Sequence, residues 1–246
     1  MRPWLTFLLA VTLAVALAEG LNRLPDVLAR LEVFRVTDVD YTGGRYLTEA
    51  EAEATLGLRP EASVWDDPGL WEERLLNHPL VEEAKVRRRF PGTLVLEITE
   101  KEPVALYPNP TLEPVDAAGR LLPIDPARHR LDLPLMNPGM AEDHASLTPA
   151  QRRLLAEEIA RIQAGDPEFL GRISEIALGR GGEMTASVWD PPFTLHFRAG
   201  LSSQRIREGL RVLRDAAGRF PEAAVVDLDL RYDDQVVIRM NQVEGN

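Results

Sequence analysis

The chain has 246 residues, with 28 Lys and Arg against 39 Asp and Glu, for a formal net charge of −11. This acidity argues against a nucleic-acid partner, because phosphate binding needs clustered positive charge. The chain has no cysteine, which excludes disulfides, a thiolate nucleophile and cysteine metal sites. Its 45% hydrophobic content is enough to build the core of one large domain or two ordinary ones.

An uncharged run from Trp4 to Ala18 opens the chain behind Arg2. As a helix this run would span about 22 Å, short of the roughly 30 Å hydrocarbon core, so we extend the predicted transmembrane helix to residues 4–22, after a cytoplasmic tail of residues 1–3. A cleaved signal peptide is the alternative, because Ala16 and Ala18 precede Glu19 in an A-x-A pattern. Either interpretation carries residues from about 25 onward out of the cytoplasm. The predicted anchoring side chains are Trp4, Phe7, Leu8, Leu9, Val11, Leu13, Val15 and Leu17.

After an amphipathic linker at 23–32, residues 33–101 predict a β-α-α-β-β unit with both helices on one face of a three-stranded sheet. Its first strand runs from about Phe34 to Tyr41. Thr48 and Glu51 predict a capping box for the first helix, which Gly57 ends.

The second helix of this unit has Asp67 as its cap, Pro68 in its first turn and Pro79 as its stop. Its predicted inner face carries Trp71, Leu75 and Leu76.

The stretch VRRRFPGTLVLEITEKEPVAL closes this unit as a hairpin. Residues 82–90 predict a strand, Pro91-Gly92 a type II turn, and the alternation of Leu94, Leu96 and Ile98 a half-buried strand. Successive side chains of a strand point to opposite faces, so the three arginines at 87–89 cannot form one patch. Arg88 therefore needs its own contact, and Glu97 across the hairpin is one candidate.

Residues 102–243 predict a mostly antiparallel β domain with two helices, followed by a tail at 244–246. Its first helix begins at a Thr148 cap with Pro149 and Gln151 behind it, and turns Leu155, Ile159 and Ile162 inward. The second helix turns Ile206, Leu210 and Leu213 inward. Strands are expected at 173–178, 184–189 and 193–198, and the last two carry Val226, Leu228 and Leu230, then Val236, Ile238 and Met240, inward.

We find no catalytic constellation, cofactor motif or metal motif in these residues. His78, His129 and His144 lie in turn-like or loop-like sequence, His196 takes an outward strand position, and no pair has helical zinc spacing. Gly179 to Glu183 reads as a hairpin turn and not as a P-loop. Asp227 and Asp229 lie on the same face of one strand. A solvated strand face explains this pair without catalysis, so we prefer it to a catalytic pair.

In FRVTDVDYTGG, HPLVEEAKVRRRFPGTLVLEITEKEPVALY, VDAAGRLLP and VVDLDLRYDDQVVIRM, taken in order, the chain resembles the FtsQ/DivIB family of bacterial cell-division proteins. The resemblance implies a single-pass inner-membrane protein at the septum, with a cytoplasmic N-terminus, a POTRA domain and a β domain. It also implies a non-enzymatic divisome scaffold without cofactors. Such a scaffold links early and late division proteins, some of them through its POTRA domain, and helps to control septal peptidoglycan synthesis.

The family's last strand is implied to be an open edge to which an FtsB–FtsL-type partner adds a strand. Carried onto this sequence, the expected partner contacts are Arg231, Tyr232, Gln235, Val236, Val237, Ile238, Arg239 and Met240. The resemblance also favours an uncleaved anchor over a signal peptide. Two other functions stay open. One is a POTRA-type chaperone of protein export, although the sequence shows no long run of transmembrane strands after the POTRA unit, which such transporters need. The other is a secreted hydrolase using Asp227, Asp229 or His196.

Overall fold

A computed structural model of the chain describes residues 3–139 and 146–242. His144 and the predicted tail at 244–246 lie outside the described residues, as does most of the tail at 1–3. The chain divides into two compact units, Met1–Lys101 and Glu102–Asn246. Each unit is described by itself.

The first unit begins with a long helix and continues as a β-α-α-β-β unit. Its elements are α1 (Pro3–Leu28), a 3₁₀ turn (Glu32–Phe34), β1 (Asp38–Thr42), α2 (Glu49–Leu56), α3 (Pro68–Leu76), β2 (Val81–Arg89) and β3 (Thr93–Glu100). β3 lies in the middle of the sheet, parallel to β1 and antiparallel to β2. The order of strands and helices predicted for this unit is confirmed.

Local signals place both of its helices. The Thr48 side chain accepts from the backbone of Glu51 while the Glu51 side chain accepts from the backbone of Thr48, and Gly57 ends α2 in a left-handed conformation. Asp67 caps α3 ahead of Pro68. The inner faces of α3 and β3 are buried, at Trp71, Leu75, Leu94, Leu96 and Ile98. Leu76, predicted on the inner face of α3, is instead 47% exposed, because it lies about 100° around the helix from the buried Leu75.

Three details of this unit correct the sequence prediction. Residues 23–28 belong to α1 and not to a linker, since the helix passes through Pro25 to Leu28. β1 begins at Asp38, because Phe34 ends a 3₁₀ turn. The hairpin turn is not type II, since the Phe90–Pro91 peptide bond is cis and Gly92 is not among the glycines with positive φ. Gly92 is needed for space, because a Cβ there would lie 2.5 Å from the carbonyl oxygen of Arg35.

Helix α1 has 26 residues and carries the predicted anchoring side chains. Among the described residues, no helix combines the length with the apolar character needed to cross a membrane. Seven of the predicted anchoring side chains are exposed: Trp4, Phe7, Leu8, Val11, Leu13, Val15 and Leu17. For Leu9 only the backbone is described.

The second unit is one sheet with helices packed against it. Its elements are β4 (Pro103–Asn109), β5 (Thr111–Asp116), α4 (Pro126–His129), β6 (Leu135–Asn137), α5 (Pro149–Gly165), α6 (Pro167–Leu170), β7 (Ile173–Leu178), β8 (Glu183–Trp189), β9 (Pro192–Arg198), α7 (Ser203–Arg219), β10 (Ala223–Asp229) and β11 (Val237–Gln242). The strand order in space is β11-β10-β9-β8-β7-β6-β4-β5.

This sheet is mixed but mostly antiparallel, as predicted, and its parallel pairs are what the sequence did not indicate. The β4–β6, β6–β7 and β9–β10 pairs are parallel, and the other four neighbouring pairs are antiparallel. Long helices account for two of the parallel pairs, since α5 lies between β6 and β7 and α7 between β9 and β10, whereas the connection from β4 to β6 contains β5 and the short α4. Parallel neighbours need a crossover of this kind, whereas a tight turn gives an antiparallel pair.

The core of the second unit follows the predicted periodicity. Thr148 and Gln151 form the predicted capping box of α5, and Leu155, Ile159 and Ile162 are buried. The inward residues of β8 and β9 are buried as expected, at Met184, Ala186, Val188, Phe193, Leu195 and Phe197. In α7, Ile206 and Leu213 are buried while Leu210 is partly buried against the same core.

Candidate protein-binding edge

The last strand, β11, forms one edge of the second unit's sheet. It pairs with β10 on one side, and no strand of residues 3–139 or 146–242 pairs with its other side. An edge strand presents unpaired backbone N–H and C=O groups to its surroundings, and these can accept a strand from another chain. β11 begins at Val237, two residues later than predicted, so Arg231, Tyr232, Gln235 and Val236 lie in the segment that leads into it.

The side chains of β11 alternate between two faces. Ile238 and Met240 are partly buried, and Ile238 packs against the core of the second unit. Val237 and Arg239 are exposed, Val237 by 43%. Of the predicted contact residues on β11, Ile238 and Met240 therefore pack within the sheet's own unit, and Val237 and Arg239 are accessible to a partner.

A bulge in β10 sets which residues face β11. Val225 lies opposite Met240, and the next paired residue is Asp227 opposite Arg239, so Val226 is extra. The bulge brings Asp227 and Asp229 onto the same face as Arg239 and Val237. Leu228 and Leu230 point into the core and are buried, as predicted, whereas Val226 is only partly buried.

The outer face of β8 to β11 carries a charged cluster, defined as Glu183, His196, Asp227, Asp229, Arg231 and Arg239. In it, Asp227 accepts from the His196 Nε2 at 2.9 Å and from the Arg239 Nε at 2.5 Å. Arg231 donates from its Nε to Asp229 Oδ1 at 2.9 Å, from its Nη2 to Oδ2 at 2.6 Å, and from its Nη1 to Glu183 Oε2 at 2.8 Å. The cluster ties β11 and the segment before it to three inner strands.

The predicted solvated face for Asp227 and Asp229 is therefore wrong, since Asp227 is only 9% exposed and both carboxylates are held by arginines. Burial alone would raise the pKa of Asp227, but hydrogen bonds from His196 and Arg239 outweigh burial and lower this pKa below its ordinary value. Burial likewise opposes a lowered pKa at Asp229, where the hydrogen bonds from Arg231 prevail. The pKa of Arg231 is raised, first by its hydrogen bond to Asp229. Both acids thus stay charged near neutral pH, held as ion-pair partners.

Arg205 on α7 holds the segment that leads into β11. Its Nη2 donates to the carbonyl oxygen of Tyr232 at 2.6 Å and also to that of Gln235. The Arg205 side chain is 18% exposed and also pairs with Glu208. Tyr232 itself is 45% exposed, so its backbone is fixed while its ring faces outward.

The opposite edge of the sheet, β5, is partly covered by its own chain. Val115 forms a bridge to Leu121, and the Leu122 N–H donates to the Pro114 carbonyl at 2.8 Å. Only residues 111–113 of β5 are left uncovered by this return, between Pro110 and Pro114. Proline cannot donate to an incoming strand, so β5 is a poorer acceptor than β11.

The remaining candidate residues serve structural roles. His78 Nδ1 accepts from the Leu80 N–H in a turn. His129 lies in α4, not in a loop, and residues 179–183 form the predicted turn between β7 and β8. Within the described ranges, no three His, Asp or Glu side chains are grouped to hold a metal ion.

The basic run at 87–89 divides as strand geometry predicts. Arg87 pairs with Glu97 at 3.2 Å and Arg89 pairs with Asp40. Arg88, on the other face, lies over the Trp65 ring with its Cζ 5.6 Å from the ring centroid. Glu97 is therefore the partner of Arg87 and not of Arg88.

Sequence reasoning missed the contributions of Glu183, His196 and Arg205 to this edge. Their partners lie 27 to 48 residues away along the chain, so no local pattern links them. The one available signal was that two acids, at 227 and 229, and two arginines, at 231 and 239, lie on the last two predicted strands and the segment between them, which is compatible with ion pairs between these strands.

The comparisons with known proteins agree with this architecture. Residues 34–101 match the family model described as POTRA domain, FtsQ-type. Cell division protein FtsQ of Rhodothermus marinus is 28% identical over 218 residues, covering 85% of this chain and 79% of that protein. FtsQ of Salinibacter ruber is 27% identical over 190 residues, covering 72% and 71%. Cell division protein DivIB of Geobacillus kaustophilus is 30% identical over 89 residues, covering 35% and 34%.

A solved structure, the major extracytoplasmic domain of DivIB from Geobacillus stearothermophilus, is 16% identical and gives a TM-score of 0.30, covering 50% of this chain and 96% of that one. At this score the likeness carries no weight, and the assignment depends on the sequence matches. The first unit thus contains an FtsQ-type POTRA domain, which is followed here by a separate sheet unit. Through this domain match and the two FtsQ relatives, the chain is similar to the FtsQ/DivIB family of bacterial cell-division proteins over most of its length.

Proposed function

We propose that this cell-division protein is a non-enzymatic, single-pass scaffold of the divisome that binds an FtsB–FtsL-type partner by strand addition to β11. The scaffold links early and late division proteins and helps to control septal peptidoglycan synthesis. Its POTRA domain binds other division proteins. Its N-terminus lies in the cytoplasm, and the bulk of the chain lies on the outer side of the inner membrane.

The observation that carries this proposal is the open outer side of β11, whereas β5 is partly covered at residues 114–116. Strand addition takes its affinity from main-chain hydrogen bonds and its specificity from alternate side chains. On β11 the alternate exposed side chains are Val237 and Arg239, with Tyr232 ahead of them. The proposed contact set is the predicted one, from Arg231 and Tyr232 to Gln235–Met240, with Ile238 and Met240 acting through the sheet's packing.

The test is capture of the partner complex by two variants, Val237→Pro and Tyr232→Glu. Proline is tolerated at the first residue of a strand, so the unit should stay folded while an incoming strand loses a regular edge. The matched control is Thr111→Pro, since Thr111 is the first residue of β5 at the opposite edge. We expect loss of capture for the two β11 variants and native capture for the control. Native capture by both β11 variants, with an unchanged circular dichroism spectrum, would refute the assignment.

Membrane anchoring is proposed for α1, with the side chains from Trp4 to Leu17 named above facing lipid. The supporting observation is that apolar side chains stay exposed along this helix, Phe7 by 71% and Leu13 by 70%. We expect the protein to resist carbonate extraction from cell membranes and to keep its N-terminus. A mature protein that starts at Glu19 would contradict the anchor and restore the signal peptide.

Localisation and depletion separate this function from an export chaperone. A fluorescent fusion is expected at mid-cell, and depletion is expected to give filaments without septa. A uniform fluorescent rim with normal septation would favour the export function. The hydrolase alternative requires Asp227 or Asp229 as a catalytic acid. Unchanged growth and division of cells that carry Asp227→Asn and Asp229→Asn would contradict that alternative.

A further inference from the structure

The POTRA domain carries an aromatic cluster at its surface, which we define as the exposed Phe90 and the half-buried Phe34 and Trp65. Their ring centroids lie 5.8 Å apart for Phe34 and Trp65, 5.9 Å for Phe34 and Phe90, and 5.1 Å for Trp65 and Phe90. Three segments supply the rings: the 3₁₀ turn, the loop between α2 and α3, and the β2–β3 turn. The cluster is therefore assembled by the fold and cannot be read from one stretch of sequence.

This cluster is only partly covered by the rest of its unit. Phe90 is 54% exposed, and Leu31 and Val33 beside Phe34 in sequence are 47% and 60% exposed. A soluble unit gains nothing by leaving Leu31, Val33 and Phe90 in water beside two half-buried rings, so such a patch marks a contact with something else.

The position of the cluster in the chain indicates what covers it. Backbone hydrogen bonds join the end of α1 to the 3₁₀ turn through an extended Leu31: the N–H groups of Arg30, Leu31 and Phe34 donate to the carbonyls of Val27, Leu28 and Leu31. The turn is then fixed to the domain, since the Val64 N–H donates to the Phe34 carbonyl at 2.9 Å. Phe34 therefore lies six residues beyond the end of α1 and twelve beyond residue 22, where the predicted transmembrane helix ends.

The chemistry of the cluster suits the membrane–water interface. Tryptophan is enriched at the level of the lipid headgroups, and an arginine beside it can keep its stem on apolar surface and its charged end in water. Arg88 stacks over Trp65 and also donates to the Asp66 carbonyl at 3.2 Å. A wide cavity of about 700 Å³ adjoins Trp65 and is lined by Pro25 and Ala29 from the end of α1.

Charge does not favour an anionic partner over a neutral one. The cavity beside the cluster is lined by three arginines, Arg59, Arg74 and Arg88, and three acids, Asp26, Asp66 and Asp67. Arg35 pairs with Glu32 at 3.7 Å. Burial of the apolar rings, and not attraction to anionic lipid, is therefore the driving term.

We infer that Phe34, Trp65 and Phe90, with Leu31 and Val33, insert into the lipid headgroup region and seat the POTRA domain on the membrane surface. This inference rests on the proposed anchoring of α1. Seating fixes the height and the tilt of the POTRA domain, so that a partner meets its surface at a defined distance from the bilayer.

The absence of cysteine allows a direct test, because each single cysteine substitution gives one labelling site. Full-length protein carrying a nitroxide at Val33→Cys or Phe90→Cys is reconstituted in vesicles of phosphatidylethanolamine and phosphatidylglycerol. Its accessibility to oxygen and to a water-soluble nickel chelate is then measured by electron paramagnetic resonance. The control site is Glu83→Cys, exposed on β2 and about 23 Å along the strand from Phe90.

We expect nickel accessibility roughly fivefold lower at positions 33 and 90 than at position 83, and the same shielding in vesicles of phosphatidylcholine alone. A third label at Val15→Cys reports the anchor independently. Lipid shielding at position 15 with full nickel accessibility at 33 and 90 would overturn the seating while the anchor stands; loss of shielding at position 15 would overturn the anchor. Shielding at 33 and 90 that disappears when the protein is diluted tenfold into more lipid would also overturn the seating, in favour of a second copy of this chain.

Discussion

Replacement of Arg205 by methionine should loosen the binding edge without unfolding the second unit. Arg205 makes two hydrogen bonds to the carbonyls of Tyr232 and Gln235. A hydrogen bond from a charged donor contributes about 1.5–3 kcal/mol, but both carbonyls belong to exposed residues that water can reach once the arginine is gone. We therefore take a total loss of about 2 kcal/mol in the local free energy of opening.

A loss of that size raises the open population of the segment by about 30-fold. The assay is hydrogen exchange followed by mass spectrometry, on peptides that cover 231–242. These peptides should exchange faster by that factor, while peptides from β7 and β8 keep native rates, because they share no hydrogen bond with Arg205. Partner affinity should fall only in proportion to the ordered fraction of the edge, so by less than about twofold while the open state stays a minority.

The matched control is Arg207→Met, an exposed arginine two residues further along α7 that makes no bond to the segment. Arg205→Lys should fall between the native protein and the methionine variant, since one ammonium cannot copy a guanidinium fork. Native exchange in 231–242 for Arg205→Met would refute the claim that this arginine holds the edge in place.

Two further predictions concern the POTRA domain. Glu100 accepts from the backbone N–H groups of Arg45, Tyr46 and Leu47 at 2.8, 2.9 and 2.6 Å. In urea denaturation, Glu100→Ala should therefore lower the unfolding free energy by about 3 kcal/mol, whereas the exposed control Glu83→Ala should lower it by less than about 0.5 kcal/mol. Equal urea midpoints for the two variants would contradict this prediction. Burial, with Glu100 and Glu51 adding to it, raises the pKa of Tyr41 to about 12. The folded state then binds more protons than the unfolded state between about pH 10 and 12, so stability falls with rising pH across that window, and Tyr41→Phe should remove this part of the slope.

Much of the local structure could be predicted from short-range signals. The capping boxes at Thr48 and Thr148, the Asp67 cap with Pro68, and the alternation of Leu94, Leu96 and Ile98 all lie where the sequence places them. Each acts over a few residues, through one hydrogen bond or one repeat of the backbone geometry. Such signals can be interpreted from the local sequence alone, without knowledge of the rest of the fold.

The binding edge could be predicted only in part. The resemblance to the family pointed to the last strand, and β11 does lie at an edge. The sequence placed its start two residues too early and read Asp227 and Asp229 as solvated, since nothing local says that Arg239 and His196 meet Asp227. Whether the named residues contact a partner stays a prediction.

What the sequence by itself determined is the order of elements, their caps and the side of each strand that is apolar, because these depend on neighbours within a turn or two. Only the tertiary structure decided that the long helices act as crossovers and make a mixed sheet, that β11 is left uncovered while β5 is partly closed, and that Phe34, Trp65 and Phe90 come together. These features join residues that lie tens of positions apart. Their energies arise from packing and pairing that exist only once the whole unit has folded.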